Sequence, residues 1–211
     1  MPLLSRLFSI IALTLLLSAC SQTLERKTCV ALASDVSYCL APVVDSLPQQ
    51  QTVSATQKAT IRTQTQQHEL LTQLELTQQN LTLVGLAPLG QALFTLTFDG
   101  ETLISEQSSF MGEQFKAEYL LAIMQLIYWS DASVNHHLQG AVMRSYQCDA
   151  DLCRGVFADN KNNIDSQNSN KHQPMIAIRY RGSDNSQLDR WQADVELSIQ
   201  AAKFTLNISP I

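Results

Sequence analysis

The chain has no run of basic residues, and its acids outnumber its bases, which gives a formal charge of -5 at pH 7. An acidic surface repels phosphate, which excludes nucleic acid or an anionic lipid surface as the main partner. Catalytic motifs are equally sparse. No serine lies in a Gly-x-Ser-x-Gly elbow. No glycine-rich loop is present to cradle phosphate, and no internal repeat recurs. The one adjacent histidine pair, His136-His137, sits in a polar stretch. Neighbouring residues point apart on a strand or a helix, so one metal rarely takes both. Asp149 and Asp151 fall on a short loop and read as turn formers. No catalytic residue, cofactor or metal is assigned, and the chain reads as a non-enzyme.

What is present begins at the N-terminus. Arg6 precedes an apolar run over residues 7–17, too short to span a bilayer, and the run ends in Leu17-Ser18-Ala19-Cys20. Small side chains before a cysteine suit the narrow pocket of a signal peptidase. This LSAC stretch resembles the bacterial lipobox. The resemblance implies that residues 1–19 are a signal peptide, that Cys20 carries diacylglycerol on its sulfur, and that an acyl group caps its new amine. Ser21 follows where an aspartate would favour retention in the inner membrane, which implies an outer-membrane anchor facing the periplasm. Each buried CH₂ contributes roughly 0.8 kcal/mol, so several acyl chains together hold a protein at a membrane. No other segment is long and apolar enough to span one. Removing residues 1–19 deletes only Arg6 among the charges, leaving a slightly more acidic body.

Four cysteines then remain: Cys29, Cys39, Cys148 and Cys153. An even number in an oxidising compartment reads as disulfides. Cys29–Cys39 with Cys148–Cys153 is the preferred pairing among three, because each pair closes a short loop. Zinc is the alternative. The spacing from Cys148 to Cys153 is wrong for a zinc knuckle, and no His or Cys partner follows at motif spacing.

The mature length suits one domain with a substantial core. Residues 20–58 read as a lipidated tether and N-terminal segment, and residues 59–211 as the body. From about residue 59 the pattern has period two, the signature of half-buried antiparallel strands. Arg62, Gln64 and Gln66 would share one face, and Leu74 and Leu76 would point inward, with a helix as the alternative around Leu70, Leu71 and Leu74. Phe94, Leu96 and Phe98 alternate with Thr95 and Thr97, and Asp99-Gly100 is a strong hairpin signal. Residues 143–147 and 154–158 flank the Cys148–Cys153 loop as a second hairpin. Residues 159–173 form an Asn-rich loop, followed by strands over 175–181, around Val195, Leu197 and Ile199, and around Phe204, Leu206 and Ile208.

Residues 116–129 (KAEYLLAIMQLIYW) break the strand pattern. They form a helix apolar on nearly every side, with Gln125 the one polar interruption after Glu118. Such a helix must be surrounded, and at this length it cannot cross a bilayer. A curved sheet wrapped around it would leave an elongated apolar cavity or be filled by it.

The order of features resembles the LolB family of outer-membrane lipoprotein receptors. Residues 71–129 carry the resemblance best, through LELTQQNLTLVGLAPLGQALFTLTFDG. The stretch YLLAIMQLIYW followed by Ser130-Asp131 is similar to a family of uncharacterised bacterial lipoproteins often encoded beside aryl polyene biosynthesis genes. These resemblances imply a mainly β fold, an antiparallel sheet curled into a LolA/LolB-like half-barrel with an apolar helix in its concave face. They imply an acylated lipid or lipoprotein cargo and a periplasmic carrier as its source. The expected cavity lining is Phe94, Leu96, Phe98, Leu120, Ile123, Met124, Ile127 and Trp129. In LolB a leucine between proline and glycine projects from a strand-connecting loop toward the membrane; the matching residues here are Pro88, Leu89 and Gly90. The alternatives are a structural or assembly lipoprotein with a solid core and a protein partner, and an acyl-ester hydrolase.

Overall fold

The computed structural model describes residues 21–43, 52–111, 116–149, 151–159, 173–182 and 190–211. The expected signal peptide, the acylated Cys20 and most of the Asn-rich loop lie outside these residues. The described chain is mainly β, with two α-helices, α1 (Ala117–Tyr128) and α2 (Asp131–His137).

Eleven strands form one antiparallel sheet. In spatial order they are β1 (Ser21–Arg26), β8 (Leu103–Ser108), β7 (Ala92–Phe98), β6 (Leu81–Leu86), β5 (Gln67–Leu76), β4 (Val53–Arg62), β14 (Phe204–Pro210), β13 (Asp194–Ile199), β12 (Ile176–Arg181), β11 (Asp151–Ala158) and β10 (Ala141–Cys148). The sheet does not close: β1 and β10 are its two edges. A smaller sheet joins β2 (Cys29–Ala33), β3 (Val36–Cys39) and β9 (Leu138–Gln139).

Period-two alternation explains most of these strands. On β5, Leu74 and Leu76 are buried while Gln73 and Glu75 face out. On β7, Phe94, Leu96 and Phe98 point into the core. β5 pairs with β4 along its whole length, so the helical alternative around Leu70 does not form. Where Asp99-Gly100 was expected to turn the chain, it does. The Asp99 carboxylate accepts from the backbone N–H of Thr102 at 2.7 Å and of Glu101 at 2.9 Å. These two donors hold its pKa below the usual value.

One expectation needs correction. Arg62, Gln64 and Gln66 do not share a strand face: β4 stops at Arg62, and the chain reverses at residues 63–66. Thr63 takes both roles there. Its N–H donates to the Gln66 carbonyl at 2.9 Å, and its Oγ1 accepts from the Gln66 N–H at 3.2 Å, a local bond that competes with strand extension. Residues 21–43, expected as a tether and an N-terminal segment closed by a disulfide, include strands β1 to β3. β1 pairs with β8 from Ser21↔Ser108 to Arg26↔Leu103. Arg26 reaches back to Ser105 Oγ at 2.9 Å and Gln107 Oε1 at 2.7 Å, so β1 satisfies polar groups that β8 turns inward. The boundary expected at residue 58 thus falls inside β4.

The small sheet docks onto the large one at Gly140, between β9 and β10. A Cβ there would stand 1.9 Å from the Asp35 carbonyl oxygen, and Gly140 has φ +75°. Only glycine fits both conditions. Gly140→Ala is expected to cost about 2–4 kcal/mol, from left-handed strain plus forced separation of the β2–β3 turn. Urea unfolding of the two proteins measures this; a loss under 0.5 kcal/mol would contradict the close approach.

Candidate functional site

α1 lies between the two sheets, which explains why it is apolar on nearly every side. Its one fully buried polar side chain, Gln125, faces the N-terminal segment. Gln125 Oε1 accepts from the Tyr38 hydroxyl at 2.8 Å and the Ala41 N–H at 2.7 Å, and its Nε2 donates to the Ala41 carbonyl at 2.9 Å. The amide therefore reads the backbone of residue 41 as a strand would, and ties the helix to the segment that covers it.

The large sheet holds the other side, through the C-terminal end of the helix. The last turn of a helix leaves carbonyls without intrahelical partners. Here two guanidinium groups take them. Arg154 on β11 is 0 % exposed. Its Nη1 donates to the carbonyls of Leu126 and Ile127, each at 2.9 Å. Its Nε pairs with Asp131 Oδ1 at 2.7 Å, at the start of α2. Arg190 Nη1 donates to the Trp129 carbonyl at 2.7 Å. The Tyr180 hydroxyl donates to the Ile127 carbonyl at 2.5 Å. Cations at this end also meet the negative pole of the helix dipole. Burial pushes the phenols of Tyr128 and Tyr180 above their ordinary pKa, keeping both neutral. Burial, then the neighbouring Arg154 charge, pulls the pKa of Arg190 down. Tyr128 stacks on Trp191 with ring centroids 3.8 Å apart and accepts from Gln57 Nε2 at 2.9 Å. Two polar atoms on the inner face, Gln57 Oε1 and Arg154 Nη2, have no hydrogen-bond partner among the described residues.

The eight expected lining residues come together. Phe94, Leu96, Phe98, Met124, Ile127 and Trp129 belong to one continuous core, and Leu120 and Ile123 are half-buried against it. Trp129 follows the end of α1 as a fully buried extended residue, its Nε1 donating to the Pro42 carbonyl at 3.4 Å. The Phe94 ring lies over Gly85 of the neighbouring strand, where a Cβ would stand 2.2 Å from the ring.

Pro88, Leu89 and Gly90 form the tip of the β6–β7 hairpin. The Gly90 N–H donates to the Ala87 carbonyl at 2.8 Å, and the Ala87 N–H to the Gln91 carbonyl at 2.8 Å. Gly90 has φ +84°, which closes the loop as a glycine bulge. The backbone is therefore well tied, and Leu89 is 99 % exposed. It does not tuck back under its own strands.

Elsewhere, Cys29 bonds Cys39 and Cys148 bonds Cys153. The first bond joins residues directly opposite each other on β2 and β3. The second closes the β10–β11 hairpin beside a cavity of about 300 Å³ on the outer face of the large sheet, lined by Tyr146, Arg179, Arg181 and Glu196 among others. Its charges are already paired: Arg179 with Asp149 and Asp151, Arg181 with Glu196. His136 and His137 end α2, a helix absent from the sequence reading although Ser130 accepts from the Ser133 N–H at 3.1 Å as an N-cap. The buried Arg154 was also missed. Its one signal was phase: residues 154 and 156 share a strand face, and Val156 is apolar.

A family model described as protein of unknown function (DUF3261) matches residues 54–211, and the chain belongs to that family. The match starts one residue into β4, so β1 to β3 precede it. No curated protein matches the chain.

Removing the Arg154 guanidinium leaves Asp131 and two helix carbonyls without their buried partner. Arg154→Ala is expected to destabilise the protein by about 3–5 kcal/mol, and Asp131→Asn by about 1–2 kcal/mol because Asp131 retains water contact. Equilibrium denaturation measures both. Equal effects would mean that the ion pair, not the helix end, is the main contact of Arg154.

Proposed function

We propose that the protein is an outer-membrane lipoprotein whose body is a LolA/LolB-like half-barrel that binds or transfers an acylated lipid or the acyl chains of a lipoprotein. A polyene lipid is within this cargo class, in keeping with the likeness to lipoproteins encoded beside aryl polyene genes. The supporting observation is how the apolar helix is held. α1 is clamped at its C-terminal end inside an open sheet, while Tyr119, Leu120 and Ile123 in its N-terminal half remain partly exposed.

Dimensions support a curled sheet. Eleven strands at about 4.8 Å spacing would span roughly 48 Å if flat, and a 12-residue helix is only about 18 Å long. Inward residues from Leu103 on β8 to Met143 on β10 are buried under α1 together with the small sheet and residues 40–43, and a sheet curled around this cover would bury them all. An acyl chain entering between sheet and helix would gain from burial of its CH₂ groups, offset by its lost freedom. The continuity of the core favours a second reading, an assembly lipoprotein with a solid interior and a protein partner.

Native mass spectrometry of residues 21–211, freed of lipid and incubated with phospholipid, distinguishes them. One bound phospholipid per chain is expected; none at saturating lipid would leave the solid-core reading. Leu89→Glu is expected to keep that binding and slow delivery to vesicles at least tenfold. Unchanged delivery would remove Leu89 from the function.

A further inference from the structure

We infer that the end of the large sheet carrying residue 21 and the β6–β7 hairpin is the face seated on the bilayer, positioned by direct attachment of strand β1 to the anchor. This rests on the reading of Cys20 as the acylated residue. β1 begins at Ser21, one residue after that cysteine. No linker separates the anchor from the fold, and six consecutive pairings with β8 hold the strand.

The register fixes which end of the sheet this is. Ser21 lies opposite Ser108 on β8, Gln107 opposite Phe94 on β7, and Phe94 opposite Gly85 on β6. Residues 21, 108, 92–93 and 86 therefore form a row across four neighbouring strands, with a bulge between β6 and β7. Three strand spacings sideways and three residues of hairpin outward place Leu89 within roughly 20 Å of residue 21. An anchor embedded at Cys20 holds that exposed leucine at the depth of the headgroups.

At the anchor end, the turns over residues 63–66, 87–91 and 200–203 contain no acid and one base, Lys203, while Asp35 and Asp159 lie beside Gly140 on the β10–β11 side of that end. The turns at the opposite end carry Asp99, Glu101 and Asp149, with Asp151 just beyond; Asp149 and Asp151 share Arg179. Phosphate-bearing headgroups repel and desolvate carboxylates, so the acid-free part of that end, around the β6–β7 hairpin, suits the bilayer. Seating relies on the anchor and the leucine rather than on attraction to anionic lipid.

Depth-dependent quenching tests this on the full acylated chain in vesicles of phosphatidylethanolamine and phosphatidylglycerol with brominated acyl chains. Leu89→Trp and Glu101→Trp are each compared with the unsubstituted protein, whose Trp129 and Trp191 give a constant background. The added fluorescence at position 89 is expected to fall at least twofold and that at position 101 to stay unchanged. Equal quenching at both positions, or at neither, in protein that floats with the vesicles overturns the seating and leaves the anchor standing. Protein that does not float overturns the anchor reading, and the seating with it. Ten Gly/Ser residues inserted between Cys20 and Ser21 are expected to remove most of the quenching at position 89; undiminished quenching overturns positioning by the strand.

Discussion

The position of α1 depends above all on one fully buried cation, Arg154. Taking a guanidinium out of water costs several kcal/mol, and among the described residues Arg154 has only Asp131 as a counter-charge. The rest of the compensation comes from two carbonyls at the negative end of the helix, through charge-assisted bonds. A pair of apolar residues would hold helix and sheet together at less cost, but would tolerate sliding. A forked donor is satisfied only when residues 126 and 127 sit over β11 and Asp131 begins the next helix. Among the described residues its Nη2 has no hydrogen-bond partner, as expected of a contact that sets geometry rather than one tuned for stability alone. Replacing ionic with apolar contacts often raises stability, and register is the best-attested reason to retain them.

With the helix fixed, the other parts acquire consistent roles. Gln125 binds the backbone of residue 41, so the N-terminal segment covers the side of α1 that the large sheet does not reach. The disulfide between Cys29 and Cys39 staples the two strands of that cover. At the far edge, the Asn135 side chain bonds both the N–H and the carbonyl of Met143, at 2.7 and 2.8 Å. It stands in for a neighbouring strand on β10, an edge that would otherwise invite pairing with another chain. The opposite edge is β1. The open sheet thus has one edge blunted by a side chain and one made from the first described residues of the chain.

Much of this was legible in the sequence, and the parts that were not share a cause. Alternation at Leu74 and Leu76 and at Phe94, Leu96 and Phe98 reports burial on one face, so those strands could be read locally. Residues 116–129 declared a surrounded helix by composition, and Asp99-Gly100 declared its turn by conformation. β1 gave no such sign, because SQTLER lacks an apolar alternation and is held by its pairing with β8 and the bonds of Arg26. α2 is seven residues of mostly polar character, and only the capping serine before it marked its start. Arg154 was hidden for a similar reason: its partners lie 23 to 28 residues away, so no local window makes a buried arginine plausible. Leu89 is the reverse case. Its exposure, surprising on hydrophobicity alone, follows from the Pro-x-Gly hairpin that presents it.

A helix fastened at one end and available to lipid along the other has a direct signature in amide hydrogen exchange. In the lipid-free protein, amides near residues 126–129 and on β11 should be protected to the level of global unfolding, while those of residues 119–123 exchange faster. Added phospholipid should slow exchange at residues 119–123 and leave the clamped end unchanged. Uniform protection along α1, unaltered by phospholipid, would contradict a lipid-accessible interior and mark the helix as the filling of a solid core.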